Sequence, residues 1–283
     1  MSSSSVLFDA PGPRARRVNA VLSVAGAALV VAVVAFVVVR LDQTRQLTSA
    51  KWSPFGYADI QRALLNGILA TVKAAAAGTV LALLLGALLA AGRLSDRAPV
   101  RAVSRVVVEL FRALPLLLLI FFAFYLGKGT ISPFAAVVIG LTLYNGSVLA
   151  EVFRAGILAL PRGQAEAGYA LGLRKTQVMT LILIPQAVRS MLPSIVAQVV
   201  VLLKDSSLGF IIAYAELLRA VQQIGSQYFN LLPTFMVGAT VYVALNLSVA
   251  GLAKLLERRT RRTRTDRAVD AAQRTVATAN TGG

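Results

Sequence analysis

Long uninterrupted apolar segments constrain this chain more than any other feature of its sequence. Runs of about 20 or more residues, rich in Leu, Ala and Val, recur along its 283 residues. A helix of that length crosses the roughly 30 Å hydrocarbon core of a bilayer. Only 14% of the residues are charged, whereas soluble domains carry about 25%. Because the runs are continuous rather than alternating, they argue against a transmembrane β-barrel. The sequence therefore predicts an all-α, polytopic membrane protein.

These runs predict six transmembrane spans. The predicted bounds are residues 19–39, 64–92, 106–126, 133–152, 186–212 and 233–256. The first run is longer than the 7–15 residues of a signal-peptide core, so we expect a retained membrane helix. Residues 1–18 form an N-terminal tail. Residues 259–283 are rich in Arg, Thr and Ala, a composition typical of a basic disordered tail.

Lysines and arginines are distributed unequally between the two sets of loops. The N-terminal tail, the loops after the second and fourth spans, and the C-terminal tail carry most of them. Positively charged loops remain in the cytoplasm, so both termini and the loop after the fourth span are predicted to be cytoplasmic. We explain the net charge of +17 by basic loops that contact anionic lipid. No nucleic-acid partner is expected.

Several kinds of chemistry are excluded by composition. The chain has no His and no Cys, which excludes disulfides, thiol nucleophiles and His-based acid–base catalysis. The segment 172–176 superficially resembles a phosphate-binding loop, but it lacks the adjacent Gly-Lys-Ser/Thr and a preceding strand. We therefore predict no catalytic residue, no metal site and no cofactor in this chain.

The second span contains a regular stripe of small residues. They recur every four positions as Ala70, Ala74, Gly78, Ala82, Gly86 and Ala90. Such a stripe lets another helix approach closely. Two interpretations of the stripe remain open: a close contact between helices that move relative to each other, and ordinary static packing.

The loop between the fourth and fifth spans, residues 153–185, is predicted to contain a short helix. Pro161 and Gly163 break the chain before it, residues 164–171 suit a helix, and Gly172 suits its C-terminus. The helix carries small residues and a single acidic charge, namely Ala165, Ala167, Gly168 and Glu166. Because these side chains are small, a groove on a partner protein can approach the helix backbone closely.

This loop resembles the segment by which the permease subunit of an ABC importer contacts its ATPase. The importer pattern is Glu-Ala-Ala, three residues, Gly, nine residues, Ile-x-Leu-Pro. Here every spacing holds, with Gly168 in place of the second Ala and Ile184 in place of Leu. The resemblance implies a coupling helix at residues 160–174. Its implied ATPase-coupling residues are Arg162, Glu166, Ala167, Gly168 and Gly172. The alternative is an amphipathic loop helix lying on the membrane.

Three further segments resemble the permeases of polar amino-acid importers. Residues 109–116 are similar to Glu-Leu-Phe-Arg-Gly-Thr-Pro-Leu, from which Ala113 and Leu114 depart, and residues 185–189 are similar to Pro-Gln-Ala-x-Arg. Residues 204–208 are similar to Lys-Asp-Thr-Ser-Leu. Residues 7–14 and 143–147 are more particularly similar to a glutamate importer permease. The resemblance covers about residues 60–258.

The resemblance implies a five-helix permease core at residues 60–258, with residues 19–39 as one extra N-terminal helix. It also implies ATPase subunits that bind ATP and Mg²⁺, a second homologous permease subunit in a heterodimer, and an extracytoplasmic solute-binding protein. The implied substrate is a polar amino acid, with L-glutamate the best match and glutamine, aspartate or arginine as alternatives. The expected location is the bacterial plasma (inner) membrane.

Ionisable groups inside spans are costly and therefore mark candidate substrate contacts. Lys204 lies 11 residues beyond Pro193, about 17 Å along a helix and thus near the bilayer midplane. We expect Lys204 and Asp205 to form a midplane pair that lines the translocation cavity, with Lys204 attracting a substrate carboxylate. Structural pairing of both residues with neighbouring helices is the alternative. For Arg112, pairing with Glu109 at i, i+3 is favoured. The remaining pathway candidates are Ser206, Asn145 and Ser147.

Two other function classes compete with an importer permease. A secondary transporter would use Glu109, Glu151 and Asp205 for ion coupling, but no inverted repeat is visible in the sequence. A membrane enzyme would need a clustered catalytic constellation, which is missing. The outer loop, residues 213–232, is polar and aromatic. Both contact with a binding protein and simple solvation explain its composition.

Overall fold

The computed structural model describes residues 12–127, 129–252 and 255. Those residues are helical or irregular, with no β-strand among them. The chain divides into two compact units, with the boundary between Tyr57 and Ala58. The expected disordered tail at residues 259–283 and most of the N-terminal tail lie outside the described residues.

The first unit is built around one exposed apolar helix. Helix α1 runs from Pro13–Gln43 and contains the predicted span 19–39. Helix α2, Ser49–Trp52, and a 3-10 turn, Ser53–Gly56, follow it. The Trp52 indole Nε1 donates to the Gln46 carbonyl at 2.9 Å, which folds this connection on itself.

The second unit contains nine helices within the described range. They are α3 Ala58–Arg93, α4 Ala98–Ala113, α5 Leu116–Leu126, α6 Pro133–Leu158, α7 Arg162–Ala170, α8 Lys175–Gln177, α9 Ile184–Asp205, α10 Leu217–Gln227 and α11 Leu231–Leu252. A π-helical segment, Val178–Leu183, joins α8 to α9, and a 3-10 segment, Ser206–Ile212, follows α9. Four predicted spans of this unit are confirmed as long apolar helical segments: α3, α6, residues 175–212 and α11.

The third predicted span, residues 106–126, is wrong as a single helix. Helices α4 and α5 are separate and meet at an angle of 100°. Pro115 has no N–H and restricts the residue before it to extended conformations. Leu114 accordingly has φ −79° and ψ 133°. Pro115 thus cannot donate to the Phe111 carbonyl, and the helix breaks inside the apolar segment.

The contact between α3 and α6 confirms that the small-residue stripe is a packing surface. Ala74 and Ala82 are fully buried. A Cβ atom added to Gly86 would lie 2.9 Å from the Leu149 Cβ and 3.0 Å from the Gly146 carbonyl oxygen. The two helices therefore approach until there is no space for a larger side chain.

We predict that Gly86→Val destabilises the protein, because α6 must shift to accommodate the new side chain. Overpacking of this kind costs about 1–3 kcal/mol. The measurement is the free energy of unfolding in detergent micelles. Ala76→Val is the matched control, since Ala76 is exposed on the same helix and its change should stay within about 0.5 kcal/mol. Equal stability of the two variants would contradict the close approach.

Candidate functional site

A cavity of about 290 Å³ lies at the break between α4 and α5. It is lined by residues that include Arg112, Ala113, Pro115, Tyr144, Val201 and Asp205. Arg112 stands in the last turn of α4, and Asp205 is the last residue of α9. The helix break and the end of α9 thus bring one cation and one anion to the same cavity.

The expected pairing of Arg112 with Glu109 is wrong. Glu109 accepts instead from the Arg105 guanidinium at 2.7 Å, one turn earlier on α4. This is an i, i+4 pair, a spacing at which side chains on a helix face each other. Within the described residues Arg112 forms no ion pair, and its guanidinium remains available to the cavity.

Lys204 and Asp205 do not line one cavity as a pair, which corrects the expectation from sequence. Consecutive helical residues point about 100° apart. Lys204 therefore faces a second cavity, of about 450 Å³, formed with α10 and α11. The two groups interact electrostatically, but neither belongs to an ion pair in the part of the chain that the structure describes. Only Asp205 reaches the cavity at the helix break.

Asn145 on α6 supports the Asp205 side of this cavity. It is fully buried, and its Oδ1 accepts from the Gln198 Nε2 at 2.6 Å. Its Nδ2 interacts with Asp205, although without a hydrogen bond of ordinary geometry. Gln198 was not predicted from the sequence. Gln198 lies two helical turns before Asp205 on α9, and this spacing could have indicated that the two side chains share a helix face.

Two predicted pathway serines lie away from the cavity surface. Ser206 is fully buried, and its Oγ donates to the Leu203 carbonyl at 2.7 Å. Ser147 is also fully buried, and its Oγ has no hydrogen-bond partner among the residues that the structure describes. Neither serine lines the cavity that contains Arg112 and Asp205, and their place in a substrate pathway stays a prediction.

The predicted coupling helix is α7, whose exposed face contains Arg162, Glu166 and Ala167. Gly168 is buried instead, which corrects its expected place on the open surface. A Cβ atom there would lie 2.9 Å from both the Val178 Cγ2 and the Ile182 Cδ1. The glycine therefore lets α7 pack closely on the π-helical segment of its own chain.

Gly172 ends α7 as predicted. Its φ of +79° lies in the left-handed region that favours glycine. The Gly172 N–H donates to the Tyr169 carbonyl at 2.9 Å, and the Leu173 N–H donates to the Gly168 carbonyl at 3.2 Å. These two bonds form a Schellman motif, which satisfies carbonyls at the helix end.

The segment around α7 is linked to two other parts of the bundle. The Lys175 ammonium pairs with Asp96 and donates to the Leu94 carbonyl at 3.1 Å, in the connection between α3 and α4. The π-helical segment packed on α7 continues directly into α9. Pro185, near the start of α9, has no N–H, which is consistent with the altered hydrogen-bond pattern before it. The segment around α7 is therefore in contact with the connection that precedes α4 and is continuous with α9.

Comparison with known proteins identifies the family. The sequence model described as "Binding-protein-dependent transport system inner membrane component" matches residues 78–262. The chain belongs to this family. The permease is 42% identical over 228 residues to the glutamate transport system permease protein GluD of Corynebacterium glutamicum, covering 78% of this chain and 84% of that protein. It is 31% identical over 208 residues to the glutamate/aspartate import permease protein GltK of Escherichia coli, covering 70% and 93%.

The fold of the permease is shared with a solved protein. It superposes on a crystal structure of an amino acid ABC transporter with histidines, with a TM-score of 0.68 and 28% sequence identity. The match covers 75% of this chain and 100% of that chain. The predicted resemblance to ABC importer permeases of the polar amino-acid type, and the all-α permease fold, are thereby confirmed.

The buried side chain of Glu216 connects α10 and α11 of the permease. The sequence placed Glu216 in a polar loop, but Glu216 is fully buried. Its carboxylate caps α10 by accepting from the Leu218 and Arg219 N–H groups at 2.8 and 2.7 Å. It also accepts from the Tyr242 hydroxyl on α11 at 2.7 Å. The loop expected at residues 213–232 is therefore wrong in part, because it contains the helix α10. A Glu at a helix N-terminus gives no sign of burial in the sequence.

The same end of α10 is attached to α3. The Leu217 N–H donates to the Thr71 Oγ1 at 3.1 Å, and the Tyr214 hydroxyl donates to the Ala70 carbonyl at 2.9 Å. Thr71 is fully buried. Glu216 and Thr71 together connect α3, α10 and α11 in one polar contact.

Burial raises the pKa of the Glu216 carboxyl above its ordinary value of 4.5, while hydrogen bonds from Leu218, Tyr242 and Arg219 oppose the rise. The folded state binds the proton of the Glu216 carboxyl more tightly than the unfolded chain does. Protonated Glu216 therefore stabilises the folded state below pH 4.5. This stabilisation is lost as the pH rises from 4.5 toward the higher pKa of the folded state. The Arg219 guanidinium donates to Gln222 and not to this carboxylate.

We predict that the Tm of the wild-type permease in detergent falls relative to that of Glu216→Gln as the pH rises from 4.5, because the proton that the folded state holds is lost. Thermal unfolding at several pH values measures the difference. Tyr242→Phe is the control: it keeps the carboxyl but removes a bond to its charged form, so the pH dependence should become steeper. A constant difference between wild type and Glu216→Gln would contradict the raised pKa.

Proposed function

We propose that this chain is a permease subunit of an ATP-driven, binding-protein-dependent importer that moves a polar amino acid, L-glutamate by preference, into the cytoplasm. The observation that carries the proposal is the presence of Arg112 and Asp205 in one cavity at the break between α4 and α5. A guanidinium binds a carboxylate through two parallel hydrogen bonds. The Asp205 carboxylate is suited to the ammonium group of the same zwitterion. The names of the relatives GluD and GltK support glutamate.

The coupling mechanism follows from the contacts of α7. An ATPase subunit binds the exposed face that contains Arg162, Glu166 and Ala167. Movement of α7 is transmitted through the Gly168 contact to the π-helical segment and α9, which ends at Asp205. It is also transmitted through the Lys175–Asp96 ion pair to α4, which ends near Arg112. The importer alternates between two states that bind the substrate differently, as a ligand-driven switch requires.

The proposed topology has both termini and α7 in the cytoplasm, because those loops carry most of the lysines and arginines. ATP and Mg²⁺ bind to separate ATPase subunits. A second homologous permease completes a heterodimer, and an extracytoplasmic solute-binding protein delivers the substrate. Glutamine, aspartate and arginine are the alternative substrates. Lys204, in its separate cavity, retains a secondary role in attracting a carboxylate.

We predict that Arg112→Gln lowers ATP-dependent glutamate uptake by the reconstituted complex about tenfold or more, because a charge-assisted bond to the substrate carboxylate is lost. Uptake of radiolabelled glutamate with competing amino acids measures the effect. Lys204→Met is the matched control, because it removes a positive charge outside this cavity. Glutamate uptake by this variant should fall less than uptake by Arg112→Gln. Wild-type uptake by Arg112→Gln would refute the carboxylate role, and uptake driven by an ion gradient alone would refute the importer mechanism.

We further predict that a cysteine at Glu166 is labelled by a membrane-impermeant maleimide only in inside-out vesicles, and that bound ATPase prevents the labelling. The chain has no cysteine of its own, so the label is unique. Ser226→Cys, exposed on α10, is the control and should be labelled only in right-side-out vesicles, whether or not the ATPase is bound. Labelling of both positions from one side would rule out the proposed topology.

A further inference from the structure

Two polar residues on one face of α9 lie against the same buried amide of α6. Gln198 and Asp205 are separated by about two turns of α9, a spacing that places both side chains on one helix face. Asn145 lies against this face, because its Oδ1 accepts from the Gln198 Nε2 at 2.6 Å. The Asn145 amide therefore lies between Gln198 and the carboxylate that lines the cavity at the helix break.

The two ends of the Asn145 amide have different partners. Gln198 donates to the oxygen, which is the acceptor end. An ionised carboxylate only accepts hydrogen bonds, so the interaction between Asn145 and Asp205 involves the Nδ2 donor. This donor is buried and forms no hydrogen bond of ordinary geometry with the described residues. The contact with Asp205 is thus looser than the bond to Gln198.

The bond from Gln198 determines which end of the Asn145 amide faces Asp205. Asn145 is fully buried, and a buried acceptor that loses its partner costs about 1–3 kcal/mol. The reverse orientation of the amide would also turn its oxygen toward the Asp205 carboxylate, and two acceptors without a hydrogen between them repel each other. Gln198 thereby keeps a donor directed at Asp205.

Other polar side chains beside Asp205 have different partners. The Ser206 Oγ donates to the Leu203 carbonyl at 2.7 Å. The Ser207 Oγ donates to the Lys204 carbonyl at 2.7 Å. Asp205 belongs to no ion pair within the described part of the chain. Among those residues, the amide on α6 is therefore the side-chain donor that can orient this carboxylate.

We propose that Gln198 is a positioning residue for the substrate: through the Asn145 amide it orients the Asp205 carboxylate toward the cavity that also contains Arg112. The inference rests on the proposed function, in which Asp205 binds the ammonium group of the amino acid. Gln198 does not itself line that cavity, so it acts without contacting the ligand. A carboxylate that is already oriented loses less conformational entropy when the ligand binds.

This role differs from that of a bond that only joins α6 to α9. A purely structural bond stabilises the bundle and affects every ligand of the cavity alike. A positioning role affects only ligands that carry an ammonium group, because Gln198 acts through Asp205. Glutarate provides the comparison, since it has both carboxylates of glutamate and no ammonium group.

The test is binding of radiolabelled L-glutamate to the purified permease–ATPase complex in nanodiscs without the solute-binding protein, with glutarate as competitor. Gln198→Leu should weaken glutamate binding about fivefold, as for side chains coupled in one network, and change glutarate binding less than about twofold. Gln186→Leu is the matched control, because it removes an exposed amide of α9 that donates to the Ile182 carbonyl. Both ligands should bind to this variant as they do to wild type.

A double-mutant cycle separates positioning from packing. Asp205→Asn should weaken glutamate binding about tenfold, because a charge-assisted bond to the ammonium group is lost. In the Asp205→Asn background, Gln198→Leu should have little further effect, since the carboxylate that it orients is absent. Equal weakening of glutamate and glutarate by Gln198→Leu, or the same loss in both backgrounds, would overturn the positioning role.

A second variant protects the test against misfolding of the first. Asn145→Leu combined with Gln198→Leu replaces both hydrogen-bonding partners by apolar side chains, which is often nearly neutral for stability. It too should weaken binding of glutamate and not of glutarate, and wild-type glutamate binding would refute the proposal. If Asp205→Asn binds glutamate as wild type does, the ammonium site of the proposed function is wrong as well. If Asp205→Asn weakens binding but Gln198→Leu does not, only the positioning role is wrong.

Discussion

The close contact between α3 and α6 is the constraint on which the rest of the second unit depends. In lipid, apolar side chains gain little by leaving the hydrocarbon, so helices associate through close packing and specific polar contacts. Gly78 and Gly86 remove the side chains that would hold α3 away from α6. This fixed pair then carries polar groups at both ends. At one end Arg93 meets Glu151, and at the other Thr71 accepts from α10.

The break at Pro115 places the end of α4 at a cavity that contains both Arg112 and Asp205. A continuous helix over residues 106–126 would carry Arg112 along an apolar wall, where an isolated charge is costly. The 100° bend instead ends α4 at a cavity that Asp205 also lines.

Hydropathy predicted most of the helices, because backbone groups in lipid have to be satisfied within a helix and the apolar segments must match the bilayer. The period of small residues predicted the α3 packing face, and the left-handed Gly172 was predicted from its place after a short helix. Such patterns do not predict how each helix is rotated about its own axis, and therefore which neighbour each side chain faces. For that reason Lys204 and Asp205 were assigned to one cavity although they face two. The burial of Glu216 and Gly168 likewise depends on which distant segment packs over them.

Arg112 and Asp205 belong to different helices, and each helix is connected by its own route to the segment around α7. A zwitterion that contacts both residues therefore bridges two helices that can move relative to each other. If those helices separate by even one or two ångströms, the ligand keeps one contact and loses the other. In the proposed function, capture and discharge are then two outcomes of one displacement, and no additional gate is needed to lower the affinity before the cargo departs.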